Sequence, residues 1–235
     1  MIVGIIGAMD EEIAQLKLKM TEVREDLISG LNFYVGKLEN NDVVLVKSGI
    51  GKVNAAITTT ILHEKYKPSC IINAGSAGGL KSKHSVGDII ISHEVIHHDV
   101  DATVFNYKLG QVPQMPESFI ADRFLVKLVE KSLSTLNISA DRGIIATGDS
   151  FIGRDDQVEF IKQNFPEVSA VEMEAASIAQ VCYFYHTPFV IIRALSDIAG
   201  KNSSISFEAF LEKAANNSAN VIIETIKNIK NKPAI

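Results

Sequence analysis

Two cysteines in 235 residues are too few for a disulfide framework. Cys70 lies in "PSCIINAG" and Cys182 in "IAQVCYFYH", and both read as buried free thiols. No apolar run reaches the ~20 residues that a membrane-spanning helix needs. No basic segment followed by an apolar one opens the chain, so a secretory signal is not expected. The expectation is a cytoplasmic protein, where the sequon "NSS" at 202–204 carries no weight. Basic residues number 23 against 28 acidic ones, a net charge of −5, which argues against a nucleic-acid surface as the main role. Linkers, repeats and low-complexity segments are also missing, so residues 1–235 read as a single domain.

What is present is ordinary for a globular chain: 46% apolar and 22% charged residues, enough to build a sizeable core. Short apolar runs alternate with helical patterns from end to end. "MIVGII" reads as a buried strand, and residues 8–20 as a helix with acids in its first turn. "NFYVGKL" and "DVVLVKS" flank "ENN" and predict a hairpin. Residues 51–66 read as a helix, "CIINAG" as a buried strand, and residues 88–102 as extended. Residues 118–136 form an amphipathic helical pattern. "RGIIATG", "VSAV" and "FVIIRALS" read as strands, and 206–231 as a long helix with Ser206 as a possible N-cap. This alternation predicts an α/β fold with a mostly parallel sheet, made mixed by the hairpin.

In open α/β sheets, ligands bind beyond the carboxyl ends of the strands. Six strand ends carry Gly, Ser or an acid: "GAMDEE", "SGIGKV", "GSAGGL", "GDSFIG", "EMEA" and "LSDIAG". Such residues also make turns and caps. Yet turns do not need so many acids beside apolar strands, and side-by-side strands would bring these groups to one rim. "SGIGKV" and "GSAGGL" match neither a dinucleotide fingerprint nor a phosphate-binding loop. "AGSAG" around Ser76 lacks the first glycine of a nucleophile elbow. Gly75, Gly78 and Gly79 suit a close approach of backbone to ligand. "HHDVD" would put His97, Asp99 and Asp101 on one strand face, a conceivable metal site, although a polar face or a subunit contact is the plainer reading.

Glu172 and Glu174 stand in the otherwise small and apolar run "VSAVEMEAASIAQVC", where an unpaired carboxylate is costly. "GIIGAMDEE", "SGIGKVNAA", "INAGSAGGL", "GDSFI", "AVEMEAASIA" and "RALSDIA" occur together and in this order. The set closely resembles the bacterial 5′-methylthioadenosine/S-adenosylhomocysteine nucleosidases, of the purine nucleoside phosphorylase superfamily, from the first residue to the final helix. The resemblance implies a three-layer α/β/α sandwich with a central mixed sheet. It implies hydrolysis of the bond joining adenine to a thio-substituted ribose, with no metal or cofactor.

By that resemblance Glu12 is the water-activating base and Asp197 the proton donor to adenine. Glu174 holds the ribose hydroxyls, and Met173 packs on the sugar. Phe151 stacks on the base, and the Ile152 backbone reads its edge. Ser76 and Arg193 line the water site, and Gly78 and Ser196 belong to the substrate site. Met9, Ile50 and Phe207 wall the alkylthio pocket, which Phe105 and Pro113 of a second subunit close in a homodimer. Asp10 replaces the family's usual Glu without touching Glu12, and Ala102 replaces a larger aliphatic, which would widen the pocket.

The residue types suit that chemistry. Departure of the base leaves a cationic sugar and a purine anion. A buried Asp197 would have a raised pKa and could donate a proton. Glu12 must be ionised to take one, and negative charge near a helix start is favoured, as it is for Asp10 and Glu11. Glu174 suits a sugar becoming cationic. Glu172 would contact the ribose or pair with a basic group such as Arg193. Three rivals remain: a phosphorylase, which "MDEE" in the first loop would disfavour by repelling phosphate; a non-catalytic nucleoside sensor, which needs no acid and base; and a serine hydrolase.

Overall fold

In the computed structural model, residues 1–200 and 203–229 are described. Ten strands form one mixed sheet, with α-helices packed on it. The first strand, β1 (Ile2–Gly7), is parallel to both β4 (Asn41–Lys47) and β5 (Cys70–Gly79). All three are almost wholly buried, which is why they read as continuous apolar runs rather than alternating ones. The expected hairpin joins β3 (Leu31–Leu38) to β4. Glu39 and Asn40 both take positive φ, 48° and 59°, the conformation a two-residue hairpin loop requires.

Beyond this hairpin lies a strand absent from the sequence reading, β2 (Thr21–Ile28), antiparallel to β3. Its residues are mostly exposed and charged, so no apolar alternation marks it. Further along come β6 (Ile89–His97), the two-residue β7 (Phe119–Ile120), β8 (Ala140–Thr147), β9 (Val168–Glu172) and β10 (Phe189–Ile198). The sheet runs β10-β6-β8-β9-β5-β1-β4-β3-β2, and β10 also pairs with β5, so five of the strands close into a ring.

Two helices, α2 (Lys52–Tyr66) and α5 (Ala175–Phe184), pack together. Elsewhere α1 (Asp10–Lys19) and α3 (Arg123–Leu136) each pack on α6 (Ser203–Asn228). The remaining helix is α4 (Asp155–Asn164). These helices and the central mixed sheet make the α/β architecture that the alternating pattern implied.

Several boundaries differ from expectation. β5 continues through "SAGG" to Gly79 instead of turning at Gly75, because its backbone pairs with β10 along its length and with β9 at Gly78 and Gly79. β10 runs on to Ile198 through an irregularity between Leu195 and Asp197. Asp197 is therefore held on a strand, not in a loop. The helix expected over 118–136 begins at Arg123, where the Asp122 carboxylate accepts the Leu125 N–H at 2.9 Å as its N-cap. The last helix starts at Ser203, so Ser206 lies inside it and is not its cap. Its expected end at residue 231, and Asn202 of the "NSS" sequon, lie outside the described residues.

β6 stops at His97, so the alternation that would align His97, Asp99 and Asp101 ends there. His97 Nε2 faces Gln180 Oε1, Asp99 accepts from Lys52, and Asp101 accepts from Thr103. Among the described residues no group of His, Cys, Asp and Glu could hold a metal ion. No described helix is long and apolar enough to cross a membrane. Both cysteines are buried thiols.

Helix α1 carries Glu12 and is fixed to the sheet by Ile13 and the fully buried Leu16. Replacing Leu16 by Ala is expected to lower unfolding stability by about 2–5 kcal/mol through transfer and cavity terms. Urea denaturation followed by circular dichroism would measure it.

Candidate active site

The carboxyl ends of β1, β5, β9 and β10, with the loops after β4 and β8, surround one cavity of about 270 Å³. Met9, Glu12, Ile50, Ser76, Gly78, Phe151, Ile152, Met173, Glu174, Ser196, Asp197 and Phe207 all line it. Twelve of the fifteen residues singled out from the sequence thus meet in one place, with Glu172 beside them.

Glu12 is 4% exposed. Its Oε1 accepts the Ser76 N–H at 2.9 Å and the Ser76 hydroxyl at 3.2 Å. Its Oε2 accepts the N–H groups of Ala8 at 2.7 Å and Met9 at 3.3 Å. Burial pushes its pKa up, while the Arg193 charge and these donors pull against that; the net direction is upward. Gly75 is what lets Glu12 and Arg193 come so close. A Cβ there would lie 2.9 Å from Glu12 Oε1 and 3.1 Å from Arg193 Nη1.

Glu172 and Glu174 separate cleanly. The Glu172 carboxylate accepts Arg193 Nη2 at 2.5 Å, the Thr147 hydroxyl, and the N–H groups of Glu174 and Ala175 at 3.0 and 2.9 Å. A guanidinium and three further donors hold it, so the pairing with Arg193 is structural. Among the described residues the Glu174 carboxyl takes one hydrogen bond, from the Gly51 N–H at 2.9 Å. Burial, then the Glu172 charge, push the Glu174 pKa up to about 8, against the pull of Arg193 and Gly51.

Asp197 is buried, with Oδ1 accepting the Ser196 hydroxyl at 2.9 Å. Burial raises its pKa and the Ser196 bond opposes only part of that. Its Oδ2 lies against Gly78, where a Cβ would sit 3.1 Å away. At the mouth, the exposed Phe151 meets Phe207 edge-on, ring centroids 5.8 Å apart and 78° between planes.

Three residues stand apart from the cavity lining. Arg193 is 1% exposed and lies behind the wall, bonded to Glu172 and to Asn73 Oδ1 at 2.6 Å. Phe105, 72% exposed, and Pro113 lie on the surface, outside this chain's own cavity. Sequence reasoning passed over Asn73 and Thr147, which hold Arg193 and Glu172 in place. The available signal was a polar residue inside each apolar strand, in "IINAG" and "IIATG".

The family model described as the phosphorylase superfamily matches residues 2–227. The 5′-methylthioadenosine/S-adenosylhomocysteine nucleosidase of Oceanobacillus iheyensis is 58% identical over 229 residues, covering 97% of this chain and all of that one. The chain belongs to this nucleosidase family. Among solved structures, the nucleosidase of Neisseria meningitidis in complex with methylthio-immucillin-A superposes with a TM-score of 0.95 at 45% identity, covering 96% of this chain and 98% of that one. That of Colwellia psychrerythraea, in complex with adenine, gives 0.94 at 46% identity over 96% and 94%. The resemblance read from six short motifs therefore extends over nearly the whole chain.

The buried carboxyl groups make stability depend on pH. Glu174 has a folded-state pKa of about 8 against an ordinary 4.5. The folded protein thus keeps a proton that the unfolded chain releases. That contribution is complete below pH 4.5 and lost as pH rises through about 8. The melting temperature of the ligand-free protein should fall across this window, and Glu174→Gln should flatten the decline. An unchanged slope in that variant would contradict the assignment.

Proposed function

We propose that the protein hydrolyses the N-glycosidic bond of 5′-methylthioadenosine and S-adenosylhomocysteine, and also of 5′-deoxyadenosine, releasing adenine and the corresponding thioribose or deoxyribose. The observation that carries this reading is the placement of two buried carboxyl groups of opposite surroundings in one cavity. Asp197 has one hydroxyl donor and no cation beside it, which favours the protonated acid. Glu12 has four donors and the Arg193 charge, which favour a carboxylate, while burial makes it a stronger base.

Asp197 donates its proton to the imidazole nitrogen of adenine as the bond from the base to the sugar breaks. Glu12 removes a proton from a water held near Ser76, and the water oxygen bonds to the sugar carbon. One water is consumed, and the proton gained by Glu12 balances the one Asp197 has lost. Glu174 bonds the ribose hydroxyls, and the positive charge that develops on the sugar draws its carboxyl, protonated in the ligand-free protein up to about pH 8, toward the charged form. Phe151 stacks on the base beside Ile152, while Met9, Met173, Ile50 and Phe207 enclose the sugar and its alkylthio arm. Arg193 acts from behind the wall, through Glu172 and through the charge it places near Glu12.

Phe105 and Pro113 complete a neighbour's pocket in a homodimer. Supporting that, the segment is exposed, and α2 and α5 present Val53, Ile57 and Phe184 to solvent. Residues 1–235 act as one domain, in the cytoplasm, in methionine salvage and the recycling of S-adenosylmethionine products.

Asp197→Asn should lower kcat by at least ~10²–10⁴, while affinity for an adenosine analogue largely survives. Adenine release and equilibrium binding would check the two halves, and full activity would remove Asp197 from its role. The phosphorylase reading deserves a separate test because the matching superfamily bears that name. With Glu12 in the cavity and Asp10 and Glu11 beside it in the first turn of α1, added phosphate should neither accelerate cleavage nor yield a ribose phosphate. Detection of that product by mass spectrometry would reassign the chemistry.

A further inference from the structure

Just outside the cavity, three side chains close a circuit. The Lys52 N–H donates to Asp149 Oδ1 at 2.7 Å. The Asp149 N–H donates to Asp99 Oδ2 at 2.9 Å. Lys52 Nζ donates back to Asp99 Oδ1 at 2.6 Å. The three residues follow β4, β6 and β8, so the circuit ties together connections far apart in sequence. None of them lines the cavity.

The residue before Lys52 is Gly51, whose N–H supplies the hydrogen bond to Glu174. Gly51 has φ 98° and ψ 161°, a conformation essentially reserved for glycine. It precedes the first turn of α2, so helix geometry does not fix the direction of its N–H. The adjacent Lys52 amide is anchored on Asp149. Packing leaves little slack, because a Cβ on Gly51 would lie 3.0 Å from Asp149 Oδ1.

We infer that the Lys52–Asp149–Asp99 circuit is a positioning device that aims the Gly51 amide at Glu174 and so sets how firmly the site grips a ribose. The inference rests on the proposed role of Glu174. Burial works against an ionised Asp99, yet Lys52 and the Asp149 amide hold its pKa below the usual carboxylate range. His98, which also faces it, is pushed by burial toward its neutral form, leaving Lys52 as the cation of the circuit. The charged groups facing Glu174 are Glu172, Arg193 and Glu12, none of them in the circuit. The circuit therefore reaches Glu174 through the Gly51 amide.

The test separates grip on the sugar from grip on the base. Asp99→Ala should raise KM for 5′-methylthioadenosine roughly tenfold, the value of a hydrogen bond to a charged group. Its dissociation constant for free adenine, which has no ribose, should match that of the unaltered protein. Lys52→Ala should do the same, and the double variant should be no worse than either single one. Asp99→Asn, which keeps an acceptor oxygen, should fall between. In a Glu174→Ala background, Asp99→Ala should add nothing. Parallel loss of adenine affinity, or an unchanged KM, would overturn the inference. If the unaltered protein released no adenine, the function itself would be wrong; if it did while Asp99→Ala and Asp99→Asn matched it, only the circuit's role would fall.

Discussion

Three of the four acids in the cavity depend on one buried guanidinium. Arg193 is shut away from water and faces Glu172, Glu174 and Glu12. It forms a short pair with only the first. An ion pair at this depth is not justified by its own energy, because desolvating both partners takes back most of the attraction. Its effect is distribution. Glu172 is saturated, Glu12 is held partway by charge and by backbone donors, and Glu174 is left short of partners. One cation among three acids thus gives carboxyl groups of the same chemistry three different surroundings. Asn73 and Thr147 keep that division in place by fixing the guanidinium and the carboxylate it pairs with.

Asp197 shows the complementary case. It sits on the far part of β10, where the register shifts after Leu195, and no basic side chain bonds to it. Distance from Arg193 and a dry environment favour the protonated form of Asp197, whereas proximity to Arg193 pulls Glu12 the other way. The glycines of β5 permit both arrangements. Gly75 admits Glu12 and Arg193 over the strand, and Gly78 admits Asp197. Side chains at those positions would push these carboxyl groups away from the strand.

Much of this was legible in the sequence, for physical reasons. Buried parallel strands must be continuously apolar, so β1, β4, β5 and β10 announce themselves, and the polar residues at their ends must then gather on one rim. Six ordered motifs supplied the family. What could not be read was pairing. "SAGG" resembles a loop because its glycines serve close packing against β10 rather than a turn. β2 hides because charged residues stand on both of its faces and its apolar Val23 and Leu27 are exposed. Which of Glu172 and Glu174 would be paired depended on which of them Arg193, about twenty residues away, would reach. Asn73 and Thr147 carry no motif, and their importance appears only once the guanidinium is placed.

The ring made by β10 reaching back to β5 has a consequence for how copies of the chain coexist at high concentration. Closure removes the unpaired backbone from that end of the sheet and leaves β2 as its one long open margin among the described residues. That margin carries Glu22, Glu25 and Asp26 around a single Arg24. Two molecules attempting to extend the sheet across it would set like charges against each other, so runaway polymerisation is discouraged where the hydrogen-bonding groups would otherwise invite it.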